Sequence, residues 1–118
     1  MSDHCPDTPY RLEALKSNYR RSLGAKLQEL EVRWEQCRQS RYANDRLANL
    51  SVWAHRIAGS AGSYGYTELS AAALTLDRCL QGWTQDRLDP DRLEQLHILY
   101  QQLYDVLAQA ACNADPST

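Results

Sequence analysis

Apolar residues recur along this chain at spacings of three and four, and the pattern resolves into four stretches of helical period. The first runs from about Pro9 to Arg38, with the stripe Leu12, Leu15, Tyr19, Leu23, Leu27, Leu30, Trp34 and Cys37. Pro9 suits a first helical turn, and Gly24 marks a place where a short N-terminal helix could separate from a longer one. A polar turn from Gln39 to Asp45 leads into the second stretch, about Asn44 to Tyr64, striped by Leu47, Leu50, Ala54, Ile57 and Ala61. Gly65 ends it, and Thr67 is placed to cap a third helix carrying Leu69, Ala73, Leu76 and Leu80, which stops near Gly82. The loop Asp86-Arg-Leu-Asp-Pro precedes a fourth, with Leu93, Leu96, Tyr100, Leu103, Leu107 and Ala110. No proline falls between Tyr10 and Asp89. Each stripe covers one face only, so each helix must bury it against the others. Short loops between long amphipathic helices make neighbours antiparallel, which predicts an all-α, up-down four-helix bundle over residues 9–112. Residues 1–8 and 113–118 are expected to be flexible ends.

Composition narrows the function classes. A chain of 118 residues builds one core, not two. Its net charge of −2 gives no basic field for nucleic acid or an anionic membrane. No apolar run approaches the roughly 18 residues of a membrane span, and the N-terminus has no signal-peptide pattern. A cytoplasmic, soluble, free-standing monomer is the expectation. Cys5, Cys37, Cys79 and Cys112 lie far apart, without zinc-ligand spacing, and read as reduced thiols. A metal or haem site in a bundle needs several inward His or Glu residues, whereas these stripes are aliphatic and tyrosine. Trp34, Trp53, Trp83 and the tyrosines supply core bulk in a chain without phenylalanine. His97 reads as a structural or surface histidine, and His4 lies in the loose terminus. The arginines at 20, 21, 33, 38, 41 and 46 read as solvated faces.

Chemistry concentrates in residues 55–65, His-Arg-Ile-Ala-Gly-Ser-Ala-Gly-Ser-Tyr-Gly. A glycine inside a helix costs roughly 1 kcal/mol against alanine, so Gly59 and Gly62 behind a histidine need a reason. At about 100° per residue, His55 lies roughly 130° around the helix from the Leu50 and Ala61 stripe, outside the core. Its face carries Ala48, Val52, Gly59 and Gly62, with Ser51 and Ala58 on one flank. An exposed helix face normally bears long charged side chains; this one is small and mildly apolar. That composition fits a docking surface, and it also fits tight packing under another segment.

The residues resemble the signature of histidine-containing phosphotransfer (HPt) domains. His55, Ile57, Gly59, Ser60 and Ala61 match the family's His-x-hydrophobic-x-Gly-Ser-small motif on the second helix of a four-helix bundle. Gly65, Leu69 and the pair Leu76-Asp77 continue the match in register. The resemblance implies a phosphocarrier in a multistep relay, shuttling a phosphoryl group between receiver-domain aspartates through His55. It implies no kinase or hydrolase activity, no cofactor of its own, and a metal ion held by the partner receiver. Partners would be receiver domains of a response regulator or hybrid sensor kinase. Asp77 matches a family position whose polar side chain lies beside the imidazole, and so could accept its N–H. The docking residues would be Ala48, Val52, Arg56, Ala58, Gly59 and Gly62. Many family members have lysine where this chain has Ala58, and Arg56, about 100° around the helix from His55, does not replace it geometrically. That departure leaves a second reading, a helical interaction module that binds receiver or kinase domains without carrying phosphate.

Overall fold

The computed structural model describes residues 8–83 and 88–113, and four helices hold nearly all of them. They are α1 (Thr8–Gln39), α2 (Asn44–Ser63), α3 (Thr67–Trp83) and α4 (Pro90–Asn113). Each packs beside its neighbour in the chain and α4 closes against α1; among the described residues the diagonal pairs make no direct backbone contact. This is the up-down four-helix bundle that the stripes predict. Its core is built from those stripes: Leu23, Leu30, Leu50, Ala61, Leu76, Leu80, Leu96, Leu103 and Leu107 are fully buried. All three tryptophans are buried as well, Trp34 stacking on Tyr100 at 4.2 Å and Trp53 donating to Glu29 at 2.8 Å.

α1 departs from expectation twice. It runs unbroken through Gly24, with no separate N-terminal helix. Leu12 and Leu15, placed in the core by their spacing, are about half exposed, at 49% and 50%. Length explains the second. Tyr19 stacks on Tyr64 and packs near Tyr66, in the α2–α3 connection, so the bundle ends at Tyr19. The eleven residues of α1 before Tyr19 extend about 16 Å past that end at 1.5 Å per residue. Periodicity marks the face of a helix but not whether a partner reaches it.

The connections are short and locally specified. After α1 the chain turns through Arg41 and Tyr42, both left-handed at φ 57° and 61°, with Tyr42 N–H donating to the Cys37 carbonyl at 2.7 Å. Gly65 ends α2 at φ +87°, a conformation that favours glycine. Thr67 is inside α3 rather than its cap, because Tyr66 already accepts the first helical bond, from Ser70 N–H. Asp89 caps α4, accepting from Arg92 N–H at 2.8 Å, and Pro90 occupies the first turn. The expected flexible ends at 1–7 and 114–118, with His4 and Cys5, lie outside the described residues, as does part of the loop at Asp86. Thr8 and Asn113, assigned to those ends, are helical.

Candidate functional site

α2 and α3 share the most extensive interface in the bundle. Small residues permit it: Ala54, Ala58 and Ala61 on α2 and Ala73 on α3 are all buried. The buried positions of α2 run from Trp53 to Ser51 around the helix, an arc of about 160° at 100° per residue. Ser51 forms the edge of that arc toward α3, and His55 stands about 40° beyond it. The imidazole thus touches α3 along one edge and lies mostly in solvent, its side chain 70% exposed.

Across the interface lies Asp77, a carboxylate only 2% exposed at the edge of the apolar stripe of α3. Burying a charge is costly unless donors surround it. Here Oδ2 faces His55 Nδ1 at 3.0 Å, while Oδ1 accepts from the Ser51 hydroxyl at 2.5 Å and from Gln81 Nε2 at 3.1 Å. An ionised carboxylate is acceptor-only. It therefore selects the tautomer with hydrogen on Nδ1 and leaves the Nε2 lone pair free. Nε2 has no hydrogen-bond partner among the described residues.

The chain's other described histidine has no such freedom. His97 is held through Nδ1 to the Leu93 carbonyl at 2.9 Å and through Nε2 to the Tyr42 hydroxyl at 3.3 Å. It also sits edge-on against Trp34. His97 is an exposed histidine with both ring nitrogens engaged, in keeping with the expectation of a structural or surface residue.

The expected docking residues divide. Ala48, Val52, Arg56 and Gly59 are exposed beside His55, Val52 at 52%. Nothing lies within 4 Å of where a side-chain carbon on Gly59 would be. Ala58 does not belong with them: it is buried, its carbonyl accepting from the Ser70 hydroxyl of α3 at 2.7 Å. Gly62 also turns toward α3, where an added Cβ would meet Ser70 Oγ at 3.2 Å. Both sit near the α3 edge of the buried arc: the third helix covers Ala58, while Gly62 stays exposed with Ser70 beside it. A depression of about 280 Å³ remains, lined by Ser51, Val52, His55, Arg56, Asp77 and Gln81. A larger one, about 450 Å³ between α1, the start of α3 and the end of α4, includes none of these residues.

The Hpt domain family matches residues 14–109, which takes in all four helices and the whole His55 site. The chain belongs to the Hpt domain family. No curated protein and no solved structure gives a significant match. Hpt domains serve histidine phosphotransfer in phosphorelay signalling, as phosphocarriers that interact with receiver domains. No helix of this Hpt domain is long and apolar enough to cross a membrane, among the described residues. Cys37, Cys79 and Cys112 are free thiols, and no group of three potential metal ligands occurs among the described residues.

The sequence placed Ser51 only on the flank of the His55 face, without a role, and did not mark Gln81 at all. The available signal was Asp77 itself. It lies about 40° beyond Ala73, at the edge of the arc of Leu69, Ala73, Leu76 and Leu80, so its burial against α2 requires donors from its own helix and from α2.

Proposed function

We propose that His55 carries the phosphoryl group, accepting it on Nε2 from the aspartyl phosphate of one receiver domain and passing it to the aspartate of another. The reading rests on one observation: an exposed imidazole whose Nδ1 is held by a buried carboxylate and whose Nε2 is unpartnered. In the forward step the Nε2 lone pair attacks phosphorus, the P–O bond to the receiver aspartate breaks, and the carboxylate leaves with the bonding pair. Nδ1 keeps its proton throughout. The phosphorylated ring is then cationic, and Asp77 balances that charge from 3.0 Å. In the second step an acceptor carboxylate attacks phosphorus and the P–N pair returns to the ring, which leaves as neutral imidazole.

The exposed face of Ala48, Val52 and Gly59 is the receiver's seat, with Arg56 at the rim of the same depression. With Ala58 buried, no cation stands one turn beyond His55 on α2. Shielding of the phosphoryl charge therefore falls to Arg56 and to the receiver with its metal ion. The domain acts as a monomer, because transfer needs only this one face.

Incubation with a phosphorylated receiver, followed by location of the label, tests the reading. The label is expected on His55, lost in acid and retained in base as a phosphoramidate. His55→Gln abolishes labelling and leaves helicity and melting nearly unchanged, since a glutamine amide can still donate to Asp77 Oδ2. Label retained by His55→Gln would refute the assignment. A wild-type domain that binds receivers yet never takes label would leave the interaction-module reading.

A further inference from the structure

Serine and threonine hydroxyls in this bundle mostly bond back to their own helix. Ser22 donates to the Tyr19 carbonyl, Ser60 to Ile57, Ser63 to Gly59 and Thr75 to Ala71. That local bond is the ordinary way for a helical hydroxyl to be satisfied. Ser51 does otherwise. It is buried, at 6% exposure, one turn before His55 on the same helix, and its hydroxyl crosses to α3 to meet Asp77 Oδ1 at 2.5 Å. A separation of 2.5–2.7 Å is that of a hydroxyl donating to an ionised oxygen.

We infer that Ser51, with Gln81 in support, is a positioning residue for phosphotransfer. It fixes the plane of the Asp77 carboxylate so that Oδ2 takes the Nδ1–H of His55 and Nε2 faces outward. The inference rests on His55 as the phosphoryl acceptor and adds the group that sets its tautomer. A carboxylate held by one oxygen can turn about its terminal torsion, which is broad and shallow. Two donors converge on Oδ1, Ser51 from α2 and Gln81 from one turn further along α3. That convergence pins the plane and dedicates Oδ2 to the imidazole at 3.0 Å. All of Asp77's donors are then specified, and every buried side-chain polar atom among the described residues has a partner. Ser51 touches neither the phosphoryl group nor its acceptor nitrogen; it acts through Asp77.

The test is nitrogen-15 NMR of the His55 ring, paired with the rate of transfer from a phosphorylated receiver. In the wild-type domain the neutral ring is expected in the Nδ1–H form. Ser51→Ala shifts part of the population to the Nε2–H form and slows transfer roughly 3- to 10-fold, the effect of losing one such hydrogen bond. Circular dichroism should stay close to wild type, while melting falls because a buried carboxylate loses a donor. Gln81→Leu, at an exposed position, moves the same two readouts in the same direction by less, and it carries the test if Ser51→Ala folds poorly. Folded variants that retain the wild-type tautomer and rate would overturn the inference. A wild-type domain that takes no phosphate would instead sink the phosphocarrier reading, while the tautomer measurement still decides what Ser51 does.

Discussion

His55 owes its proposed reactivity to an asymmetry between its two nitrogens, and that asymmetry comes from where one residue falls on a helix. A position deeper in the arc would bury the ring; one further round would lose Asp77. Gly59, one turn on, is the complementary feature, a gap where the helix surface stays low. If a receiver needs that gap, Gly59→Leu blocks transfer by about 100-fold, the order expected when reacting groups are held an ångström or more too far apart. The fold should become more stable by up to about 1 kcal/mol, since leucine is the better helix former and no neighbour obstructs it. A Gly59→Leu variant that melts lower yet transfers at the wild-type rate would return this glycine to internal packing. The placement of His55 and Gly59 off the core was legible from angular position, and their role from the HPt resemblance. Ser51 was not, because its role depends on a carboxylate 26 positions away on another helix.

At the scale of elements, the α2–α3 hairpin carries the candidate site, and three of its glycines serve three different ends. Gly65 turns the chain at φ +87°, where any side chain is strained. Gly62 lets α3 approach, under the Ser70 hydroxyl that is itself tied to the Ala58 carbonyl. Gly59 faces open space. Alanine at each should separate these roles in thermal melts. Gly59→Ala gains up to about 1 kcal/mol of helix propensity. Gly62→Ala offsets a similar gain by displacing Ser70 from its hydrogen bond, about 1 kcal/mol, and melts near wild type. Gly65→Ala loses roughly 1–2 kcal/mol and melts lowest. A Gly62→Ala variant as stable as Gly59→Ala would mean that Ser70 yields freely and that the close approach at Gly62 is unimportant. The sequence pattern announced the turn at Gly65 and left Gly62 undivided from Gly59. Telling those two apart requires knowing which side α3 lies on, and a one-helix projection does not contain that. The same gap in information placed Ala58 on the outside and Leu12 and Leu15 in the core.

For the molecule as a whole, the proposed reactive site sits on the flank of a closed core, and the bundle's other ionisable groups face a different limit. Cys37 is fully buried, its thiol near the Arg46 carbonyl at 3.5 Å, and burial pushes it up to about 11 from an ordinary 9.0. Burial also raises Tyr19, Tyr42 and Tyr100, and a hydrogen bond to Glu31 raises Tyr104. All are acids that ionise more readily in the unfolded chain. Between about pH 9 and 11 the unfolded chain loses the Cys37 proton while the folded chain keeps it. Stability is thus fully present below pH 9 and falls as pH rises through this window, by about 2–3 kcal/mol for Cys37 alone. The tyrosines add to the fall only above their ordinary value of 10.0. Urea unfolding midpoints measured in steps across the window should show this decline beginning before the tyrosines contribute. In Cys37→Ala the early part should vanish, leaving stability level until the tyrosines begin to ionise. An unchanged pH profile in that variant would mean the buried thiol does not resist ionisation, and that α1 and the start of α2 open more readily than a fully closed core allows.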